Sequence, residues 1–189
     1  MADIIDIVMQ EHREVEALFD QLKAATGADH QQTLFTEVKD KLERHASAEE
    51  RVLYPRIRKE VPDGKEEAED AVEEHDQMRS SIEEVEEHEA GTELFMLAVE
   101  QLVATTRHHV GVEEQELLPD FREHSEAEER QALAERFEQA KRRGNGSGGS
   151  PEGDGATKQE LYDRAREAGI VGRSSMSRKE LLAALDKQS

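Results

Sequence analysis

The chain has 189 residues, of which 37% are charged, 35% hydrophobic and 4% aromatic, with no Trp. That allows one domain of ordinary size and a small appendage, and it suits slim helices with an apolar stripe better than a sheet core. A net charge of −20 opposes nucleic acid and anionic membranes, and the lack of Cys excludes disulfides, thiol chemistry and thiolate metal sites.

The charge is uneven. Residues 1–155 hold 40 acidic and 18 basic side chains, and residues 156–189 hold 5 and 7. The start carries no basic segment or long apolar run, so no signal peptide is expected. No apolar run approaches the ~20 residues that span a membrane. The expectation is a soluble cytoplasmic protein.

Residues 3–24 predict the first helix, with Ile5, Val8, His12, Val15, Phe19 and Leu22 at spacings of three and four, an apolar seam containing one His. Gly27 ends it. Residues 31–59 predict a second helix, with Leu34, Val38, Leu42, His45, Glu49 and Val52 inward and Pro55 able to kink its last turns. Val61-Pro62-Asp63-Gly64 reads as a turn. A third helix is expected over 66–89, with Val72, His75, Ile82 and Val85 inward. After Gly91, Thr92 caps a fourth over 93–122, with Phe95, Ala98, Leu102, His109, Glu113 and Leu117 inward. Ser125 and Glu128 form a capping box for a shorter fifth helix to about residue 142, which Leu133 and Phe137 would dock.

Residues 143–156 form a Gly/Ser-rich linker with a reach of roughly 20 Å. Two further capping boxes, Thr157 to Glu160 and Ser177 to Glu180, predict helices over 158–168 and 178–187 around an extended connector, 169–176. The domain reading is therefore a bundle over 1–142, the linker, and a small helical module over 157–189. The fold class is all-α: an up-down four-helix bundle, a fifth helix and the tail module.

An internal repeat carries the chemistry. His45-x-x-x-Glu49-Glu50-x-x-Leu53-x-Pro55 returns, 64 residues later, as His109-x-x-x-Glu113-Glu114-x-x-Leu117-x-Pro119. Glu11-His12 returns as Glu74-His75, 63 residues later. His and Glu four apart share a helix face, so each His-x-x-x-Glu offers a cation such as iron, manganese or zinc two donors. Counting from the predicted turns at roughly 1.5 Å per residue, His12 and His45 match in depth to within about 3 Å, as do His75 and His109. Burying four imidazoles and two carboxylates without partners costs several kcal/mol, which favours a metal layer over a plain hydrogen-bonded one.

At Glu11-His12, His45-x-x-x-Glu49, Glu74-His75 and His109-x-x-x-Glu113 the chain resembles the hemerythrin-like (HHE cation-binding) family over residues 1–142. The resemblance implies a four-helix bundle with a non-haem di-iron centre: two iron ions, oxo- or hydroxo-bridged. One iron would take His12 and His45, the other His75 and His109, with Glu49 and Glu113 bridging. It implies a small ligand (oxygen, peroxide or nitric oxide) handled for sensing or detoxification. A peroxide-decomposing, catalase-like enzyme and a metal-free interaction scaffold are the alternatives, so enzyme status stays open. Oxygen carriers of the family have a further His one turn after the third-helix His. Here that position is Arg79, which argues against reversible oxygen carriage.

The remaining polar residues have plainer expectations. Arg79 is expected to point to solvent. Tyr54 falls nearly opposite His45, since nine residues make two and a half turns, and reads as packing. A π-bulge near Pro55 is the alternative that would carry it to the metal layer. His108 is expected outside the layer, and His30, His88 and His124 at the surface. Glu50 and Glu114 read as solvated or as partners of the ligands. The tail resembles the N-terminal module of transcription terminator Rho and SAP-like modules through Lys158 to Tyr162, Gly172-Arg173-Ser174 and Ser177 to Leu182. That implies a nucleic-acid contact through Arg173, Arg178 and Lys179, with a protein contact as the alternative.

Overall fold

A computed structural model describes residues 3–144 and 158–168, with Ile170, Arg173, Leu181, Ala184 and Leu185. The described residues are helical, without strands. Helix α1 (Ile4–Ala24) is capped by Asp3, which accepts from the Ile5 amide. Helix α2 (Ala28–Ala48) begins three residues earlier than its apolar seam suggests, because Gly27 at φ 91° supplies the turn into it. It continues through a π-helical turn, Glu49–Leu53, into α3 (Tyr54–Glu60). Asp63, in the left-handed region, and Gly64 then reverse the chain. A Cβ on Gly64 would stand 2.4 Å from the Ile57 carbonyl oxygen, so only glycine fits there.

The second hairpin repeats the plan. Helix α4 (Gly64–Glu86) ends before the expected residue 89. Thr92 caps α5 (Glu93–Val112) through the Phe95 amide, as its sequence predicts. A second π-helical turn, Glu113–Leu117, leads into α6 (Leu118–His124). Helix α7 (Ala127–Gly144) docks through Leu133, Ala134 and Phe137. At its start the Ser125 hydroxyl bonds the Phe121 carbonyl and accepts from Arg130.

Both π turns precede a proline. Pro55 and Pro119 have no amide hydrogen, and their rings clash with the carbonyl four residues back. The ladder widens by one residue instead of kinking: the Tyr54 amide reaches the Glu49 carbonyl and the Leu118 amide the Glu113 carbonyl.

The core comes in two apolar clusters. One gathers Ile4, Val8, Leu53, Ile57, Phe121 and Phe137; the other Phe19, Leu22, Phe35, Val85, Phe95 and Leu102. Along α1, the first cluster stops at Val8 and the second starts at Val15, with His12 between them. His45 and His75 divide their helices in the same way, and His109 lies between Val103 of the second cluster and Leu117 of the first, the latter in the π turn that continues α5.

In the tail, α8 (Lys158–Glu167) buries Leu161, Tyr162 and Ala165 against Ile170 and Leu181. The expected linker begins inside α7, which runs to Gly144; its residues 145–156, most of the connector and most of the second tail helix, with the contacts expected of Arg178 and Lys179, lie outside the described residues. No helix among the described residues is long and apolar enough to cross a membrane.

Candidate metal centre

The six residues singled out by spacing meet in one buried layer. His12, His45, Glu49, His75, His109 and Glu113 are each at most 5% exposed. His12 Nε2 stands 3.1 Å from His45 Nε2, and His75 Nε2 stands 3.2 Å from His109 Nε2. Glu49 lies between the pairs, Oε1 at 3.0 Å from His45 Nε2 and Oε2 at 3.3 Å from His75 Nε2. Glu113 Oε2 faces His12 Nε2 at 3.2 Å and His109 Nε2 at 3.9 Å. Donor atoms of His12, His45, Glu49 and Glu113 fall within 4.8 Å of one another, as do those of Glu49, His75 and His109.

A carboxylate holds the outer nitrogen of each imidazole. His45 Nδ1 meets Glu11 at 2.8 Å, His109 Nδ1 meets Glu74 at 2.9 Å, His12 Nδ1 meets Glu114 at 2.9 Å and His75 Nδ1 meets Glu50 at 3.1 Å. Ionised carboxylates only accept hydrogen bonds, so Nδ1 carries the proton in each ring. The Nε2 lone pairs then face inward, two by two, a tautomer and orientation suited to metal ligation. Glu11 and Glu74 serve the other His of their own hairpin, whereas Glu50 and Glu114 cross to the other hairpin.

The electrostatics explain why such a layer needs a cation. Opposed lone pairs at 3.1 and 3.2 Å repel, and both oxygens of Glu49 and Oε2 of Glu113 are buried without a hydrogen-bond donor. Without metal, the only relief is protonation. Burial lowers the His45 pKa, but Glu49 and Glu11 override it and push it up to about 10. His75 is raised too, burial opposing and Glu49 and Glu50 prevailing. Nitrogen and oxygen donors with orphaned carboxylate oxygens fit iron or manganese and admit zinc.

Two expectations need correction. Tyr54 does not merely pack: its hydroxyl donates to Glu113 Oε1 at 3.3 Å and lies 3.4 Å from His75 Nε2, with no exposed surface. The π turn before Pro55 delivers it there. The equivalent in the second hairpin is Leu118, also buried, so the hydroxyl makes the layer asymmetric. Burial and then Glu113, Glu49 and Glu50 raise the Tyr54 pKa well above the usual phenol value, which keeps it protonated in the metal-free layer. Arg79, expected in solvent, is 8% exposed and is bound to Glu50 and, at 2.8 Å, to Asp76. Burial would raise Glu50, but Arg79 above all, then His75, holds it at about 2.

Other residues fall as their positions suggest. The side chain of His108 is 69% exposed, 3.3 Å from Glu74. His30 and His124 are exposed and His88 is partly exposed beside Glu84. Glu50 and Glu114 are partners of ligands rather than solvated residues. The parallel role of Glu11 and Glu74 has a sequence signal, since adjacent residues on a helix do not face each other. A carboxylate next to a ligand His must therefore serve a neighbouring helix.

Residues 3–121 match the family model of the Hemerythrin HHE cation binding domain. An uncharacterised hemerythrin-like protein of Schizosaccharomyces pombe is 28% identical over 143 residues, 75% of this chain and 70% of that protein. A DNA nickase of Nostoc sp. is 29% identical over 139 residues, 74% of this chain but only 39% of its own length. No solved structure gives a significant match.

Proposed function

The chain belongs to the hemerythrin HHE cation-binding family, and from that membership we propose that it binds two metal ions, iron first among them, with a small ligand such as oxygen, peroxide or nitric oxide, for sensing or detoxification. One ion is assigned to His12 and His45 and the other to His75 and His109, with Glu49 and Glu113 bridging. The observation that carries this reading is Glu49: fully buried, it turns one oxygen to each imidazole pair and has a hydrogen-bond donor on neither. Bound iron would supply a redox couple and open positions for a small ligand. The chain itself fixes the imidazole tautomers, buries the six side chains of the layer and holds a proton at Tyr54 Oη.

Anaerobic reconstitution of the full-length protein with ferrous iron tests this. Metal analysis should give two ions per chain and a visible spectrum on oxidation. Protein that stays metal-free, with an unchanged melting temperature, overturns the reading and leaves the interaction scaffold.

Tyr54 favours a second reading, peroxide decomposition. Two peroxides become two waters and one dioxygen, so protons must move from one peroxide to the other. A phenol 3.3 Å from Glu113 can relay one of them, passing its own proton to the carboxylate as it takes one from a peroxide. Oxygen evolution from added peroxide, lost in Tyr54→Phe, is the check.

We also propose that residues 1–142 form one domain, joined by linker 143–156 to a Rho N-terminal-like or SAP-like module, 157–189. The tail's own small core supports this. The name of the Nostoc relative raises nucleic acid as a partner, and we assign any such contact to the tail alone. Arg166 and Arg173 there share a cavity with Glu83 and Glu86 of α4 and its C-cap Glu87, so a phosphate must compete with these carboxylates.

A further inference from the structure

We propose that a cavity between α4 and the π-helical turn that follows α5 is the port through which divalent cations enter the buried layer, with Glu67, Asp70 and Glu116 as a transient capture station at its mouth. The inference rests on the metal-centre reading above. The cavity, about 80 Å³, is lined by Glu67, Asp70, Glu74 and Glu116, by apolar Ala71, Val112 and Leu117, and by Glu113. Five of these eight side chains are carboxylic acids.

Glu113 makes this more than an acidic patch. It is 99% buried, it lines the cavity, and its Oε2 has no hydrogen-bond donor. A cation captured at the mouth therefore has a residue of the layer itself on the cavity wall, and the unpartnered oxygen of that residue faces His12 Nε2 at 3.2 Å. Nearer the surface, Glu67 Oε2 is also buried without a donor. Burial and then Asp120, Asp63 and Glu116 raise the Glu67 pKa, the mark of carboxylates crowded without a counter-charge. Glu74 forms one wall and holds His109 Nδ1 through Oε2, while its Oε1 faces the exposed His108. The port thus leads past a residue that already orients a ligand. A mouth of this charge draws in divalent cations and slows anions, while uncharged oxygen, peroxide and nitric oxide pass.

The test is the rate of anaerobic ferrous iron uptake by the full-length protein, with unbound iron trapped by a ferrous chelator at set times. Glu67→Gln/Asp70→Asn should load about ten-fold more slowly at low salt, reach the same two ions per chain, and lose most of the salt dependence of the wild-type rate. Glu84→Gln/Glu87→Gln, with equal charge removed around the far end of α4 and its C-cap, should load at the wild-type rate. Unchanged loading by the first variant, or equal slowing by both, overturns the port. Wild-type protein that takes up no iron overturns the metal-centre reading itself, and the port with it.

Discussion

Tyr54 belongs to the first hairpin, yet its hydroxyl donates to Glu113 of the second at 3.3 Å. The bond joins the two halves of the repeat inside the layer. Tyr54→Phe keeps the ring and leaves Glu113 Oε1 without that donor, which should cost about 1–3 kcal/mol. Thermal melting checks that figure. If the phenol reaches the metal, the visible spectrum of the ferric protein should also change in Tyr54→Phe. An identical spectrum and melting temperature would assign Tyr54 to packing alone.

Removing a ligand should empty the centre. His45→Ala and His109→Ala should each bind fewer than two irons, and chelation of the wild type should lower its melting temperature, because metal binds the folded chain preferentially. Metal analysis beside calorimetry reads both effects.

Arg79→Ala should destabilise strongly, because it leaves Glu50 in the interior without its guanidinium, held by His75 Nδ1. Loss of one partner of a buried pair costs about 3–5 kcal/mol. The pH dependence has a definite sign. Folded Glu50 is held at about 2, below its ordinary 4.5, so its contribution is present above about pH 4.5 and lost as pH falls towards 2. With the guanidinium gone, the Glu50 pKa rises, and acid unfolding should begin at a higher pH. Denaturant melts at several pH values, metal-free, measure it.

Residues 1–144 should fold and load iron without the tail, since every side chain of the layer and its carboxylate supports lies within them. A truncated chain ending there should match the full-length stoichiometry. Any nucleic-acid binding by the full chain should disappear with the tail and weaken steeply with salt in Arg173-containing protein.

The ligands were legible because they obey ideal helical spacing. His45 and Glu49, or His109 and Glu113, share a face whatever the rest of the chain does. Tyr54 escaped the same arithmetic because the arithmetic assumes 3.6 residues per turn, and the chain is not in that state between Glu49 and Leu53. The signal is the proline that follows each motif, Pro55 and Pro119: a kink and a π-bulge are both open to such a sequence, and the chain takes the bulge. Arg79 was misplaced for another reason: its main partner, Glu50, sits on a different helical hairpin, and no spacing rule reaches across that distance. The helix ends at Glu86 and Ala28 shifted by three residues where loop geometry, rather than an apolar stripe, sets the boundary.

The polar layer also fixes alignment. Each of the four helices of the ring crosses between two apolar clusters at a single histidine. If any helix slid by one turn, about 5.4 Å, its imidazole would enter hydrocarbon and an aliphatic side chain would face the carboxylates. A uniform apolar seam could slip with little penalty; this one has a single vernier position. The layer that offers donors to a cation also sets the register in which the bundle closes.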